Sequence, residues 1–193
     1  MPNHDRFECQ TAIDSDAILH NGKYDVLSPL YSGEPVNEAE VLGAAVWLWM
    51  HSPLHRDAPL HTLPDLLLPV IKHRQYVVAT EQGRPVFFMS QAWLSPEAEA
   101  RFLTQPAILM PQSDWNSGDR MWVCDWVAPF GHTPDMSRLV RQDIFPRLCW
   151  RSLYHRGQQT GLRVMNFRGA QVSREEARQW RVQHPLAVDV PER

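Results

Sequence analysis

The chain has 193 residues and a formal net charge of −3, with 44% hydrophobic and 21% charged residues. This composition is typical of one globular domain, with or without a tail, and is too apolar for a wholly disordered chain. It argues against nucleic-acid binding, which usually brings a basic excess. The best apolar candidate, residues 41–50, is about half the length of a membrane-spanning helix. We therefore expect neither nucleic-acid binding nor stable membrane insertion.

The cysteines indicate a reducing compartment. Cys9, Cys124 and Cys149 are odd in number and far apart, so they do not indicate a disulfide framework. The N-terminus also lacks a basic start followed by an apolar stretch, so it does not read as a secretory signal. These features together predict a cytoplasmic protein.

The sequence divides into a tail and a body. Residues 1–36 are polar and rich in turn-forming pairs, and we predict a loosely ordered N-terminal extension there. Residues 37–193 carry regular apolar patterns and predict a single domain. Helices are predicted at 38–50, at a single turn opened by Ser52-Pro53, and at 62–73, 95–104, 135–150 and 173–184. Strands are predicted at 75–80, 85–91, 121–128 and 162–167, with a hairpin turn at 81–84.

This element order predicts an α/β or α+β domain, in which helices flank a mixed central sheet. The glycine motifs that bind dinucleotides or cradle phosphates are absent, as is the nucleophile elbow of the α/β-hydrolases. Most of the eight tryptophans lie in apolar stretches. They therefore favour a core or a pocket for a lipid chain over a surface that stacks nucleic-acid bases.

Two histidines lie four residues apart, His51 and His55. That spacing puts side chains on one helical face, but the proline at position 53 should break the helix between them. A zinc site would need His61 or Asp57 as further ligands, and no HExxH pattern supports one, so we expect no metal. The alternative is a pair of surface histidines near helix ends.

The short turn at residues 52–58 offers a chemical role for His55. If Ser52 caps this turn, His55 falls at the positive end of a helix dipole, which disfavours an extra proton on the ring. A neutral imidazole at pH 7 is what a general base requires.

Asp125 stands inside an apolar strand pattern, MWVCDWVA at residues 121–128. A carboxylate there needs a partner. The pattern allows a structural Asp that bonds backbone groups or Arg120, and it equally allows an acid that orients a histidine. Strand alternation predicts that Cys124 points to the opposite face, where a small core residue is the more common role.

Two sequence blocks resemble a known family. The first is WLWM at 47–50 followed by SPLHR at 52–56, and the second is DWNSGDR at 114–120 running on to DWVAPFG at 125–131. Together they resemble the RTX-toxin-activating lysine acyltransferases of the haemolysin-activating type. The resemblance covers about residues 41–131, fades towards 184 and does not include the first 36.

The resemblance implies a GNAT-like fold and a cytoplasmic enzyme that moves a fatty acyl group from acyl carrier protein to internal lysines of an RTX protoxin. It implies His55 and Asp125 as catalytic residues and Ser52 as a supporting one. Acyl carrier protein would be a co-substrate, without a permanently bound cofactor, and a homodimer is compatible with the family. Two positions depart from the family pattern: Leu66 stands where an asparagine is expected, and Gln91 where a tryptophan is usual.

Two alternatives stay open at this point. A GNAT-like N-acetyltransferase using acetyl-CoA would need a glycine-rich pyrophosphate loop, for which only Phe130-Gly131-His132 is suitably placed. A catalytically inert chaperone that binds a toxin would tolerate Leu66 and Gln91, but it leaves the pairing of His55 with Asp125 unexplained. Transfer through an acyl-His55 intermediate is a further option within the leading hypothesis.

Overall fold

A mixed six-stranded β-sheet forms the centre of the molecule in the computed structural model, which describes residues 22–29, 37–156 and 159–189. The strands lie side by side in chain order, and all neighbours are antiparallel except the parallel pair β4 and β5. Their bounds are β1 Asp25–Leu27, β2 Tyr76–Glu81, β3 Arg84–Leu94, β4 Arg120–Val127, β5 Cys149–Arg156 and β6 Gln159–Arg168.

Helices pack on both faces of this sheet. Their bounds are α1 Glu38–Met50, α2 Leu63–Leu66, α3 Leu68–Lys72, α4 Pro96–Thr104, α5 Thr133–Leu139 and α6 Arg174–Gln183. A π-helical turn, Val140–Ile144, continues α5. No helix among the residues that the structure describes is long and apolar enough to cross a bilayer. The predicted α/β class is confirmed, and the architecture is consistent with a GNAT-like domain.

Side-chain caps start three of the predicted helices where the sequence places them. Ahead of α1, Asn37 Oδ1 accepts the Ala39 backbone N–H at 3.1 Å. Ahead of α4, Ser95 Oγ accepts the Ala98 backbone N–H. Ser173 and Glu176 form a reciprocal capping box ahead of α6. Each cap satisfies backbone donors that have no partner inside the helix.

Two buried apolar clusters lie on opposite faces of the sheet, because neighbouring strand residues point to opposite sides. Phe88 and Trp122 belong to the first cluster, and their neighbours Phe87 and Met121 belong to the second. The first cluster is closed by α1, α3 and α4, and the second by α5 with its π-helical turn. The sheet therefore lies between two helical layers, with one apolar cluster on each of its faces.

The predicted helix over residues 135–150 is wrong in its second half. The Phe145 N–H donates to the Val140 carbonyl at 2.7 Å, a wide turn that ends the helical segment. Pro146 follows and has no N–H to continue it. The chain then enters β5 at Cys149, so the sequence prediction missed one of the inner strands of the sheet.

Part of the predicted N-terminal extension is a strand. Residues 25–27 form β1, which pairs with β2 along the edge of the sheet, with Val26 opposite Ala79. The rest of the prediction for residues 1–36 concerns positions that lie mostly outside the described residues. The tail thus supplies an edge strand that the sequence analysis does not predict.

The parallel pairing of β4 with β5 is short. Only Trp122 with Arg151 and Val123 with Ser152 face each other in register among the described residues. Both strands continue beyond this seam, β4 to Val127 and β5 to Arg156. The two strands therefore separate and leave a cleft within the sheet.

Candidate active site

His55 lies in a single turn of chain between α1 and the next helical segment. The Ser52 carbonyl accepts the backbone N–H groups of His55 and Arg56, at 3.0 and 2.9 Å. The Ser52 hydroxyl lies 2.8 Å from His55 Nδ1, so in the described structure this hydroxyl bonds the imidazole. The turn was predicted, but the expected side-chain cap by Ser52 is not seen: among the described hydrogen bonds, the Ser52 hydroxyl contacts the imidazole and no backbone N–H donates to it.

Asp125 lies 70 positions further along the chain, in β4, and reaches the other side of the same ring. Its Oδ1 is 3.2 Å from His55 Nε2. Its Oδ2 accepts the hydroxyl of Ser90 in β3 at 2.8 Å. The structural alternative that paired Asp125 with Arg120 is wrong, since Arg120 binds Glu99 and a backbone carbonyl.

These contacts allow the arrangement of protons that a general base requires. The Nε2–H of His55 donates to the Asp125 carboxylate, and the Ser52 hydroxyl donates to Nδ1. A carboxylate accepts and a hydroxyl can donate, so every group in the chain is satisfied with a neutral imidazole. In that state Nδ1 carries the lone pair and is the basic atom of the site.

The site is largely enclosed. The side chains of His55 and Asp125 are 13% and 17% exposed. The indole of Trp49 lies against the imidazole, with ring centroids 4.8 Å apart and planes inclined by 30°. Partial removal from water strengthens the electrostatic coupling between a histidine and its carboxylate.

Sequence reasoning missed two members of this site, Ser90 and Trp49. Ser90 reaches Asp125 only because β3 and β4 pair with those two residues opposite each other. That register is not readable from either strand alone. Trp49 stands in the WLWM block. In the sequence, its place near the site is indicated by its position three residues before Ser52.

A β-bulge places Cys124 on the same side of the sheet as Asp125. Ser90 faces Asp125 and Gln91 faces Val123, so Cys124 is an extra residue in β4. It packs against the first apolar cluster and borders the same cavity as Asp125. The predicted opposite orientation is therefore wrong, because a bulge interrupts alternation. Burial raises the pKa of the Cys124 thiol well above its usual value.

A cleft of about 720 Å³ opens beside the His55–Asp125 pair, where β4 and β5 separate. It is bordered by the turn after α1 on one face of the sheet and by α5 on the other. Its walls are mainly apolar, with serine, threonine and arginine groups near α5. The lining residues are Leu54, His55, Val123, Cys124, Asp125, Trp126, Thr133, Ser137, Val140, Arg141, Trp150, Ser152, Leu153, Tyr154, Met165 and Phe167.

His51 does not join this site. Its Nδ1 lies 2.8 Å from the Trp47 carbonyl, and its ring contacts Phe130 at 5.1 Å between centroids. In the part of the chain that the structure describes, no three His, Cys, Asp or Glu side chains are grouped as metal ligands. The two histidines thus have separate surroundings in spite of their spacing.

The two positions that depart from the expected family pattern both contribute to packing. Leu66 ends α2 and packs against the first apolar cluster. Gln91 is fully buried, and its backbone N–H donates to the carbonyl of Gln75 at 3.0 Å. Neither residue borders the cleft.

The fold and site define a class of protein: an α/β domain with a histidine–carboxylate pair beside an apolar cleft in its sheet. The sequence profile of the RTX toxin acyltransferase family matches residues 34–168. The chain belongs to this family.

Relatives with assigned names support this family membership. The chain is 39% identical over 145 residues to the leukotoxin-activating lysine-acyltransferase LtxC of Aggregatibacter actinomycetemcomitans, covering 75% of this chain and 84% of that protein. It is 38% identical to the RTX-I toxin-activating lysine-acyltransferase ApxIC of Actinobacillus pleuropneumoniae, covering 74% and 81%. It is 36% identical to the protein-lysine myristoyltransferase HlyC of Escherichia coli, covering 72% and 80%.

Proposed function

We propose that this protein is a cytoplasmic lysine acyltransferase that moves a fatty acyl group from acyl carrier protein to internal lysines of an RTX protoxin, which activates the toxin. The family match and the names of the relatives support the reaction class. The observation that carries the proposal is His55, held between Ser52 and Asp125 at the wall of an apolar cleft.

The acceptor amine must lose a proton. A lysine side chain with a pKa of about 10.4 is neutral in roughly one molecule in 2,500 at pH 7, a handicap of about 4.6 kcal/mol. His55 Nδ1 is the base in the proposed mechanism. The proton reaches it through the Ser52 hydroxyl, which lies 2.8 Å away, or directly when the amine takes the place of that hydroxyl.

The transfer step is an acyl substitution at the thioester. The lysine nitrogen attacks the carbonyl carbon, the C–S bond breaks, and the amide forms. An ammonium loses two protons on becoming an amide: His55 passes the first to solvent and the second to the departing thiolate of the carrier's prosthetic arm, so that the site returns to its starting state. Asp125, 3.2 Å from Nε2, stabilises the transient cation on the ring. Attack by Nδ1 itself, through an acyl-His55 intermediate, is the alternative route.

The cleft supplies the remaining requirements of this chemistry. Beyond Val123, β4 has no partner on its β5 side among the described strands, so backbone N–H groups there can stabilise the oxyanion. The apolar walls can take up the acyl chain, and each CH₂ group that they bury contributes about 0.8 kcal/mol.

The test is a reconstituted transfer reaction. The full-length protein is mixed with long-chain acyl carrier protein and an RTX protoxin, and the protoxin is analysed by intact-mass and peptide mass spectrometry. We expect a fatty adduct on an internal lysine. A parallel reaction with acetyl-CoA separates the acetyltransferase alternative, and an unmodified protoxin under both donors would favour the chaperone alternative.

A matched pair of variants ties the reaction to the site. His55→Ala removes the base, whereas His51→Ala removes a histidine four positions away that bonds the Trp47 carbonyl. We expect transfer to stop in the first variant and to continue in the second. Equal transfer by His55→Ala and the unaltered protein would contradict the proposed mechanism.

A further inference from the structure

A buried ion cluster lies next to the cleft, centred on the carboxylate of Glu99 in α4. Glu99 is fully buried. Its oxygens accept hydrogen bonds from the Trp122 indole at 2.8 Å, from Arg151 at 2.8 Å, from the Ala187 backbone N–H at 2.9 Å, and from Arg120. The two guanidiniums are also nearly buried, so this carboxylate compensates two cations that have left water.

The chain after α6 completes the cluster. Arg151 donates to the His184 carbonyl and lies over the ring of Trp180, 4.9 Å from its centroid. Arg120 donates to the Pro185 carbonyl. Burial lowers the pKa of Arg151, because a guanidinium removed from water is less stable than one in solvent.

The position of the cluster relates it to the cleft. Trp122 and Arg120 are in β4, and Arg151 is in β5. Trp122 and Arg151 form one of the two residue pairs of the parallel seam, and the other pair, Val123 with Ser152, borders the cleft. Glu99 thus bonds both strands at the point from which they separate.

We propose that Glu99 is a positioning residue that fixes the separation of β4 and β5 and thereby sets the length of acyl chain that the cleft accepts. This inference rests on the proposed acyl transfer. Glu99 does not border the cleft, so it acts on substrate only through the two strands. The seam has two backbone pairs among the described residues, and the Glu99 cluster adds side-chain bonds to both strands.

The substitution Glu99→Gln keeps the shape of the side chain and removes its charge. Arg120 and Arg151 then face each other without a carboxylate between them, and their repulsion moves β4 and β5 apart. A wider cleft buries more of a long chain and contacts a short chain less. Each further CH₂ group that becomes buried changes kcat/KM by about fourfold.

The experiment compares kcat and KM for dodecanoyl, tetradecanoyl and hexadecanoyl carrier protein. In Glu99→Gln we expect the hexadecanoyl-to-dodecanoyl ratio of kcat/KM to rise by at least about fourfold, mainly through KM. Asp114→Asn is the matched control. Asp114 forms a bidentate ion pair with Arg101, which lies in α4 like Glu99, and this pair is away from the cleft. It should keep the original ratio.

The ratio is internal to each sample, so a lower folded fraction does not change it. If Glu99→Gln does not fold, Glu99→Asp keeps the charge but draws the carboxylate away from Arg120 and Arg151, and it should shift the ratio in the same direction to a smaller extent. An unchanged ratio in the variant that folds overturns the inference while leaving the proposed function intact. Absence of transfer by the unaltered protein with every chain length overturns both.

Discussion

Replacing Asp125 by asparagine tests the electrostatic part of the mechanism without changing the size of the side chain. In the structure the carboxylate lies 3.2 Å from His55 Nε2 and also accepts from Ser90. Asp125→Asn removes the negative charge that stabilises the imidazolium. The neutral ground state loses much less, so the effect should fall on kcat and leave KM for the carrier protein nearly unchanged.

The distance gives the magnitude. Two unit charges 3.2 Å apart attract each other by about 5 kcal/mol at an effective dielectric constant of roughly 20. That energy corresponds to a rate factor on the order of 10³ to 10⁴. The dipole of the introduced amide returns part of it, so we expect kcat to fall by at least about 100-fold.

The assay is the initial rate of fatty acylation of the protoxin, followed by mass spectrometry at saturating acyl carrier protein. Asp57→Asn is the control, since Asp57 is close to the His55 turn in sequence but has a largely exposed side chain, 82% accessible. It should keep the full rate. If Asp125→Asn stays within about threefold of the unaltered protein, a difference far below the charge-pair energy, the imidazolium is not a feature of the rate-limiting transition state and the reasoning is refuted.

Two further outcomes follow from the same surroundings. Ser90→Ala removes a buried hydrogen bond to the Asp125 carboxylate. Because a hydrogen bond to a charged group is worth about 1.5–3 kcal/mol, kcat should drop roughly 10- to 100-fold. An unaltered kcat would exclude Ser90 from the site. Because burial raises the pKa of Cys124, its thiol stays protonated near pH 8, where a free thiol is roughly one quarter ionised. Its alkylation by iodoacetamide, measured on the peptide, should be slow there and faster at higher pH, and labelling as fast as in urea would contradict this.

The parts of the fold that the sequence predicted depend on local chemistry. The caps at Asn37, Ser95 and Ser173 act within four residues of chain, and all three helix starts are confirmed. The strand that was missed, β5, follows a wide turn and Pro146 at the end of a continuous pattern. There the helical pattern of the preceding residues hid the change of structure. The segment is a strand because it pairs along most of its length with β6 and briefly with β4.

The candidate site was likewise predicted only in part from the sequence. The resemblance selected Ser52, His55 and Asp125, and the structure brings these three side chains together. The sequence did not predict which nitrogen of His55 faces which partner, because that depends on how the turn after α1 sits over β4. It also placed Cys124 on the wrong side, since a single extra residue in β4 reverses the alternation that strand reasoning relies on.

The short seam between β4 and β5 has a consequence for solution measurements. Backbone amides held in a strand ladder exchange their hydrogens with solvent slowly, whereas unpaired ones exchange quickly. The amides of β4 that point towards β5 beyond Val123 lack a ladder partner among the described strands, so they should exchange quickly in the empty protein. A bound acyl chain would shield them, and hydrogen–deuterium exchange in this one stretch of backbone would therefore report how full the cleft is.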